Sequence, residues 1–223
     1  MKNQLWIFGD SFSTQWEHMG TLGNRYSEYK GYPPKIFSNY LATMLDMDVK
    51  GLGIGGADNF TIFDCIINNI DSIATGDIVI IGWSSPTRFR LEKNNQWLTI
   101  HNPQPIGGGL PMHLIDAYKF MDINTLQQIR VNRMHSLYWD EVVTWSKLIT
   151  TTLELKGVKV IFWSPFVLCT DFFRKKQLLP NDWYIGTALT CLNVETKGVI
   201  DDQHFSEEAH QQLADILYKK IVK

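Results

Sequence analysis

Leu5-Trp6-Ile7-Phe8-Gly9-Asp10-Ser11-Phe12-Ser13 is the stretch on which the fold turns. Four consecutive apolar residues ending at a glycine describe a buried strand. Such a strand delivers its next residues to its carboxyl end, the edge at which parallel α/β sheets bind ligands. A serine there, flanked by a small residue and an acid, is a candidate nucleophile. The base it needs stands near the far end of the chain, in Asp201-Asp202-Gln203-His204, just ahead of a helix-like segment.

Outward from that stretch the pattern alternates strand and helix. A helix is expected over Lys35–Leu45 after Pro33-Pro34, a favourable opening. A short strand comes next, near Val49–Leu52, running into the glycine-rich Gly51-Leu52-Gly53-Ile54-Gly55-Gly56. Asn59–Ile73 reads as a second helix with Phe60, Phe63, Ile66, Ile67 and Ile70 as its apolar face. Asp77–Gly82 and Val158–Trp163 are further buried strands, the latter preceded by a helix from about Trp139 to Leu155. The last helix starts at Ser206, an N-cap with Glu207 and Glu208 in the first turn. Its expected apolar face is Ala209, Leu213, Ile216, Leu217 and Ile221. Lys219, Lys220 and Lys223 complement the dipole at its end. Alternating units argue for a parallel sheet with helices on both faces. Residues 86–120 and 165–200 break the repeat and read as long loop excursions, the kind that form covers or binding walls. With no repeat or linker visible, the expectation is one domain over residues 1–223.

Composition excludes several classes. At 223 residues, 44% hydrophobic and 20% charged, the chain has the profile of a soluble globular α/β domain. A net charge of −2 gives no reason to expect nucleic acid as a partner. No apolar run is long enough for a membrane span. Met1-Lys2-Asn3-Gln4 leads directly into the first strand, so the expectation is a cytoplasmic enzyme without a secretory leader. Cys65, Cys169 and Cys191 are odd in number and widely spaced, as buried thiols in a reducing compartment would be. His18, His101, His113 and His135 lack ligand spacing, so no metal site is expected.

Ester hydrolysis by serine needs a hydroxyl that loses its proton in the attack and an imidazole to take that proton. It also needs a carboxylate to hold the ring in one tautomer, and donors aimed at the oxyanion. Ser11 supplies the hydroxyl. In Asp201-x-x-His204 the acid and the imidazole are one turn apart. By average residue usage G-D-S arises by chance in roughly 5% of chains this long and D-x-x-H in roughly a quarter. Position therefore carries the weight: one motif ends the first strand and the other precedes the terminal helix.

Gly9-Asp10-Ser11 after the first strand, a glycine-rich turn after the second, Gly82 ending the third and Asp201-x-x-His204 before the last helix together resemble the SGNH (GDSL-type) hydrolases. The resemblance runs from Leu5 to the end of the chain. It implies a three-layer α/β/α flavodoxin-like fold with a central parallel sheet, hydrolysis of acyl esters, and no metal or cofactor. It makes Ser11 the nucleophile, His204 the base and Asp201 its orienting acid, with the backbone N–H groups of Ser11 and Gly56 in the oxyanion hole. The third block departs from the family pattern. Where the family has G-x-N-D, this chain has Gly82-Trp83-Ser84-Ser85, so Ser84 stands in the place of the oxyanion asparagine. A hydroxyl donates one hydrogen bond and is shorter than a carboxamide. Asn59, Trp83 and Arg88 are the candidates to compensate.

Plainer readings stand beside these. Ser11 also suits a helix cap, His204 a polar residue near a helix start, and the glycines at 51–56 a tight turn. Asp10 fits a turn or a substrate contact. Trp83 fits a substrate contact, and Arg88 an ion pair or a substrate clamp. His210, inside the last helix, reads as structural or solvent-facing. Asp202 competes with Asp201 at a less favourable spacing. The expected partner is a small-molecule or glycan acyl ester, O-acetyl sugars among them. Two rivals remain: a catalytically weak binding module on the same fold, and a flavodoxin-like phosphate or flavin binder using Ser11, Ser13 and Thr14.

Overall fold

The opening apolar run forms β1 (Gln4–Gly9), in which Leu5, Trp6, Ile7 and Phe8 are each at most 2% exposed. The computed structural model describes residues 2–19, 21–85, 88–93, 96–100, 128, 137–165, 184–185 and 204–223. β2 (Asp48–Gly53) lies parallel along one edge of β1 and β3 (Ile78–Gly82) along the other. A separate antiparallel hairpin comes next, made of β4 (Phe89–Lys93) and β5 (Gln96–Ile100). The main sheet continues with β6 (Lys159–Trp163) and β7 (Tyr184–Ile185), both parallel to their neighbours. Its order, β2-β1-β3-β6-β7, is the doubly wound flavodoxin-like order once the hairpin is set aside.

Among the described residues the sheet is accompanied by the helices α1 (Thr21–Lys30), α2 (Phe37–Leu45), α3 (Asn59–Asn69), α4 (Leu137–Glu154) and α5 (Glu207–Ile221). Side-chain alternation along the strands divides the core in two. Trp6, Phe8, Val79, Ile81, Val160 and Phe162 pack under Ile62 and Ile66 of α3 and Val142, Ile149 and Leu153 of α4. Leu5, Ile7, Ile80, Ile161 and Trp163 point the other way, against Phe37 and Leu41 of α2 and Ala209, Leu213 and Leu217 of α5. With both faces covered, β1, β3 and β6 have no polar face to show, which is why they read as unbroken apolar runs. The result is the three-layer α/β/α arrangement expected from the sequence. No described helix is long and apolar enough to cross a membrane.

Two buried carboxylates tie the layers at opposite ends. At the amino edge of the sheet Asp77 accepts the Gln4 N–H at 2.8 Å, the Trp6 indole N–H at 2.9 Å and the Ala74 N–H at 2.9 Å. This locks the start of β1 to that of β3. In the first turn of α5, Glu207 accepts the hydroxyls of Tyr32 (2.6 Å) and Tyr40 (2.9 Å) and the Lys35 N–H (3.0 Å), while the Glu207 N–H donates to the Tyr26 hydroxyl. Burial pushes the Glu207 carboxyl up. The Lys35 N–H, the two tyrosines and the nearby Lys30 charge more than offset this and hold it below its ordinary range. Glu207 is thus the tether between α5 and the α1–α2 segment as well as a favourable charge at a helix start.

Several expectations are corrected. α1 is not legible in the sequence, because Thr21–Lys30 shows no apolar stripe at helical spacing; among its described side chains Tyr26 is the large buried anchor. α2 begins two residues later than Lys35, at Phe37, with the Asn39 side chain accepting the Ile36 N–H. α3 ends at Asn69 and passes into a 3-10 turn at Ile70–Ser72. Of its expected apolar face, Ile66 is buried and Phe63 and Ile70 pack against the same core, while Phe60 and Ile67 stay exposed and Ile62 takes their place. The inward stripe is thus rotated from the expected one, since tertiary packing selects which side of an apolar helix meets the sheet. In α5, Ala214 and His210 are buried and Ile216 faces out at 41%. The excursion at 86–120 holds the hairpin β4–β5. Its signal lies in the alternating Phe89–Lys93 and Gln96–Ile100 on either side of Asn94-Asn95. Residues 86–87, 94–95 and 101–120 of that excursion, and residues 166–183 and 186–200 of the second, lie outside the described residues.

The carboxyl ends of β1, β2 and β3 share one feature that governs what can sit on them. Gly9 is the register partner of both Gly53 and Gly82, so three adjacent strands end in glycine at one level. A Cβ on Gly9 would overlap the Ser13 hydroxyl. One on Gly82 would lie 2.9 Å from that hydroxyl, and one on Gly53 would overlap the Ser13 carbonyl and lie 2.7 Å from the Thr14 nitrogen. The segment after Ser11 therefore rests directly on glycine backbone. Gly53→Ala, which meets backbone rather than a movable side chain, is expected to cost about 1–3 kcal/mol in a urea titration. Gly55→Ala, which meets nothing within 4 Å, should stay within about 1 kcal/mol of wild type. Equal losses at the two positions would remove the close-approach account.

Candidate active site

In this strand order the crevice lies between the carboxyl ends of β1 and β3, where successive connections leave in opposite directions. The loops after those two strands carry Asp10-Ser11 and Trp83-Ser84. Ser11–Ser13 forms a single 3-10 turn that Asp10 caps. One carboxylate oxygen of Asp10 accepts the Phe12 N–H at 3.1 Å, and its carbonyl accepts the Ser13 N–H at 2.9 Å and the Thr14 hydroxyl at 3.0 Å. Ser11 is half-buried on this turn, while Ser13 and Thr14 are buried beneath it.

Asp10 also spans the crevice. Its other carboxylate oxygen accepts the Ser84 hydroxyl at 2.9 Å and Nη1 of Arg88 at 2.8 Å. The same Nη1 donates to Ser84 Oγ at 2.8 Å and to the Ala57 carbonyl at 3.3 Å. Asp10 is 1% exposed, so its charge has little water to answer it, and Arg88 answers it instead. A second arginine repeats the device. Arg90 Nε donates to both oxygens of Asp58 at 3.2 Å, its Nη2 donates to Thr61 at 2.9 Å, and its guanidinium lies 4.2 Å from the centre of the Phe60 ring. Asp58 is in turn the N-cap of α3, accepting the Thr61 N–H at 2.7 Å. The two arginines thus hold the start of the hairpin onto β1, the Ala57 turn and α3.

The oxyanion candidates fall into two groups. Gly56 has φ +75° in a turn closed by the Ala57 N–H on the Ile54 carbonyl (3.1 Å), and the Ile54 N–H donates to the Gly9 carbonyl at 2.9 Å. The Gly56 turn is thereby tethered to the end of β1. Ser84 and Asn59 are occupied elsewhere. The Ser84 hydroxyl proton goes to Asp10. The Asn59 carboxamide pairs reciprocally with the Ser84 backbone, accepting its N–H at 2.6 Å and donating to its carbonyl at 3.1 Å. Trp83, expected as a substrate contact, is instead core: it is 1% exposed and its indole N–H donates to Ser146 of α4 at 3.0 Å. Of the phosphate cradle of Ser11, Ser13 and Thr14, two hydroxyls are buried, and the Asp10 carboxylate already occupies the Phe12 N–H.

His204 comes to this edge from the far end of the chain. Its ring centre is 4.8 Å from that of Phe12, the residue after Ser11, and 6.4 Å from that of Trp16. Asp201 and Asp202 lie outside the described residues. His210 is 2% exposed among Phe205 (5.5 Å), Phe37 (6.2 Å) and Trp16 (6.4 Å). Burial, and secondarily the charge of His204, push its imidazole down to about 3. Neither the role of Asp10 as the partner of Arg88 nor the neutral state of His210 is legible in the sequence. Arg88 reads there as an ion-pair candidate, but nothing local names the partner. A cleft of about 400 Å³ opens beside the same segment, lined by Gln15, Glu17, His18, Lys35 and Asn39 with Pro33, Pro34, Val49 and Gly51. Among the described residues no three His, Cys, Asp or Glu side chains gather as a metal site requires.

No protein-family model matches the chain, and no curated protein is similar to it by sequence. Among solved structures it is similar to a protein assigned to the G-D-S-L lipolytic family from Desulfitobacterium hafniense DCB-2. The identity is 12% over 98% of this chain and 99% of that one, with a TM-score of 0.46. At that level of likeness the strand order, not the neighbour, defines the fold.

The buried neutral His210 predicts an acid sensitivity. Its folded value of about 3 lies below the ordinary 6.5, so between these values the unfolded chain binds the extra proton. Stability therefore falls as pH drops from about 6.5 toward 3, by at most about 1.4 kcal/mol per unit from this group. Urea titrations at about pH 4 and pH 7 should show His210→Phe losing less stability on acidification than wild type. An identical loss would assign the acid limb to other groups.

Proposed function

We propose that the chain is a serine hydrolase that cleaves acyl esters through an acyl-enzyme. Ser11 is the nucleophile, His204 the general base and Asp201 the acid that orients the ring. The observation that carries this reading is the ring contact between Phe12 and His204, 4.8 Å between centres. It sets the imidazole of the second motif against the residue that follows the serine of the first, which supports their pairing.

Ser11 Oγ attacks the acyl carbonyl carbon while its proton passes to His204. The bond to the alcohol oxygen then breaks, and the alcohol leaves with that proton. Water repeats the sequence on the acyl-enzyme: its proton goes to His204, its oxygen to the acyl carbon, and the proton returns to Ser11 Oγ as the acid departs. The Ser11 and Gly56 N–H groups receive the oxyanion. Small acyl esters are the substrate class, including O-acetyl groups on carbohydrate.

The commitment of Ser84 to Asp10 and of Asn59 to Ser84 favours one rival, a binding module with weak turnover. An absent oxyanion donor costs about 3–4 kcal/mol in the transition state. A fluorophosphonate probe and p-nitrophenyl esters of increasing chain length separate the two readings. The hydrolase reading expects labelling at Ser11, loss of labelling and turnover in Ser11→Ala with the fold retained, and a far larger loss in His204→Ala than in His210→Ala. Wild-type protein that binds the esters but neither labels nor turns over would establish the binding module. Hydrolysis near the wild-type rate in Ser11→Ala would remove Ser11 from the mechanism.

A further inference from the structure

We infer that Arg88 is a positioning residue for the Ser11 site, acting through Asp10 by neutralising a carboxylate that would otherwise oppose the oxyanion. This role rests on the hydrolase reading. Asp10 immediately precedes the nucleophile, is 1% exposed, and holds the turn that presents Ser11 through its bond to the Phe12 N–H. A carboxylate is therefore built into the nucleophile's support, in surroundings where water screens it poorly. The charge that forms on the acyl oxygen has the same sign and arises in the same crevice.

Arg88 stands where it offsets this. Its Nη1 contacts Asp10, which precedes Ser11, and the Ala57 carbonyl, which comes after Gly56, at 2.8 and 3.3 Å. These are the neighbours of the two residues whose N–H groups receive the oxyanion. It also donates to Ser84 Oγ at 2.8 Å while Ser84 donates to Asp10, so the hydroxyl in the asparagine position serves this charge network. An uncharged ester in the ground state feels the Asp10 charge weakly, and the tetrahedral intermediate feels it strongly. Arg88 thus acts on kcat and hardly on KM. Arg90 does not share the role, because its carboxylate partner is Asp58 at the start of α3.

The test is a cycle in the full chain: Arg88→Met, Arg88→Lys, Asp10→Asn and the double variant Asp10→Asn/Arg88→Met. The readouts are p-nitrophenyl acetate hydrolysis, fluorophosphonate labelling and a thermal melt for each protein. Asparagine keeps the acceptor for the Phe12 N–H, and the double variant leaves no buried charge unpaired, which keeps it folded where Arg88→Met alone is weakened. Arg88→Met should lower kcat by roughly ten- to a hundredfold, the size of an unanswered like charge at short range, with KM within about threefold. Arg88→Lys should restore most of the rate, and the double variant should exceed Arg88→Met by about fivefold or more. A double variant as slow as Arg88→Met, or a loss confined to KM, would overturn the role. If wild type neither labels at Ser11 nor hydrolyses the ester, the hydrolase reading itself falls, and this role with it.

Discussion

The structure depends on the absence of side chains at one level of the sheet. Gly9, Gly53 and Gly82 end three adjacent strands in register, and the Ser11–Ser13 turn sits against their backbones. Glycine is costly in a strand, since it loses more backbone entropy than any other residue and packs nothing. Three at one level are explained by the close approach they permit. With a Cβ on any of them the turn would rise off the sheet. Asp10 would then lose its reach across the crevice to Ser84, and the ring of Phe12 its contact with His204.

Around that platform the chain handles its buried charges in pairs. Asp10 with Arg88 and Asp58 with Arg90 connect the strand ends, the start of α3 and the approach to the hairpin. Arginine suits both places, because its planar fork can meet a carboxylate and further acceptors at once. Such pairs contribute little net stability after desolvation, but removing one member leaves the other stranded. They fix where the hairpin sits more than they strengthen the fold. The carboxylates at Asp77 and Glu207 do comparable work away from the crevice, each gathering backbone and side-chain donors from segments distant in sequence.

Two histidines six residues apart show how far local sequence carries. His204 reaches the rim beside Phe12, and His210 is enclosed by Trp16, Phe37 and Phe205 and stays uncharged. Nothing in either residue's neighbours along the chain separates these fates. The motif spacing singles out His204, but the burial of His210 comes from the docking of α5 on α2 and the sheet. The same limit explains the inward face of α3. Phe60 and Ile67 share helical spacing with Phe63, Ile66 and Ile70, yet the sheet takes in Ile62 and leaves those two outside.

By itself the sequence determined the strands of the core, most of the helices that alternate with them, the cap at Ser206, and the placement of Ser11 at a carboxyl edge. Apolar run length, helical spacing and capping chemistry act between residues a few positions apart, so they are written locally. The tertiary structure decided the partner of Asp10, the commitment of Ser84 and Asn59, the seat of α1 through Tyr26, and the buried role of Trp83. Asp10 meets Ser84 across 74 positions, and the Glu207 N–H meets Tyr26 across 181. Contacts over such separations depend on how whole layers pack. The Ser84 hydroxyl and the Trp83 indole pair with the polar groups that the packed layers bring within reach, because a buried donor left unmade is costly.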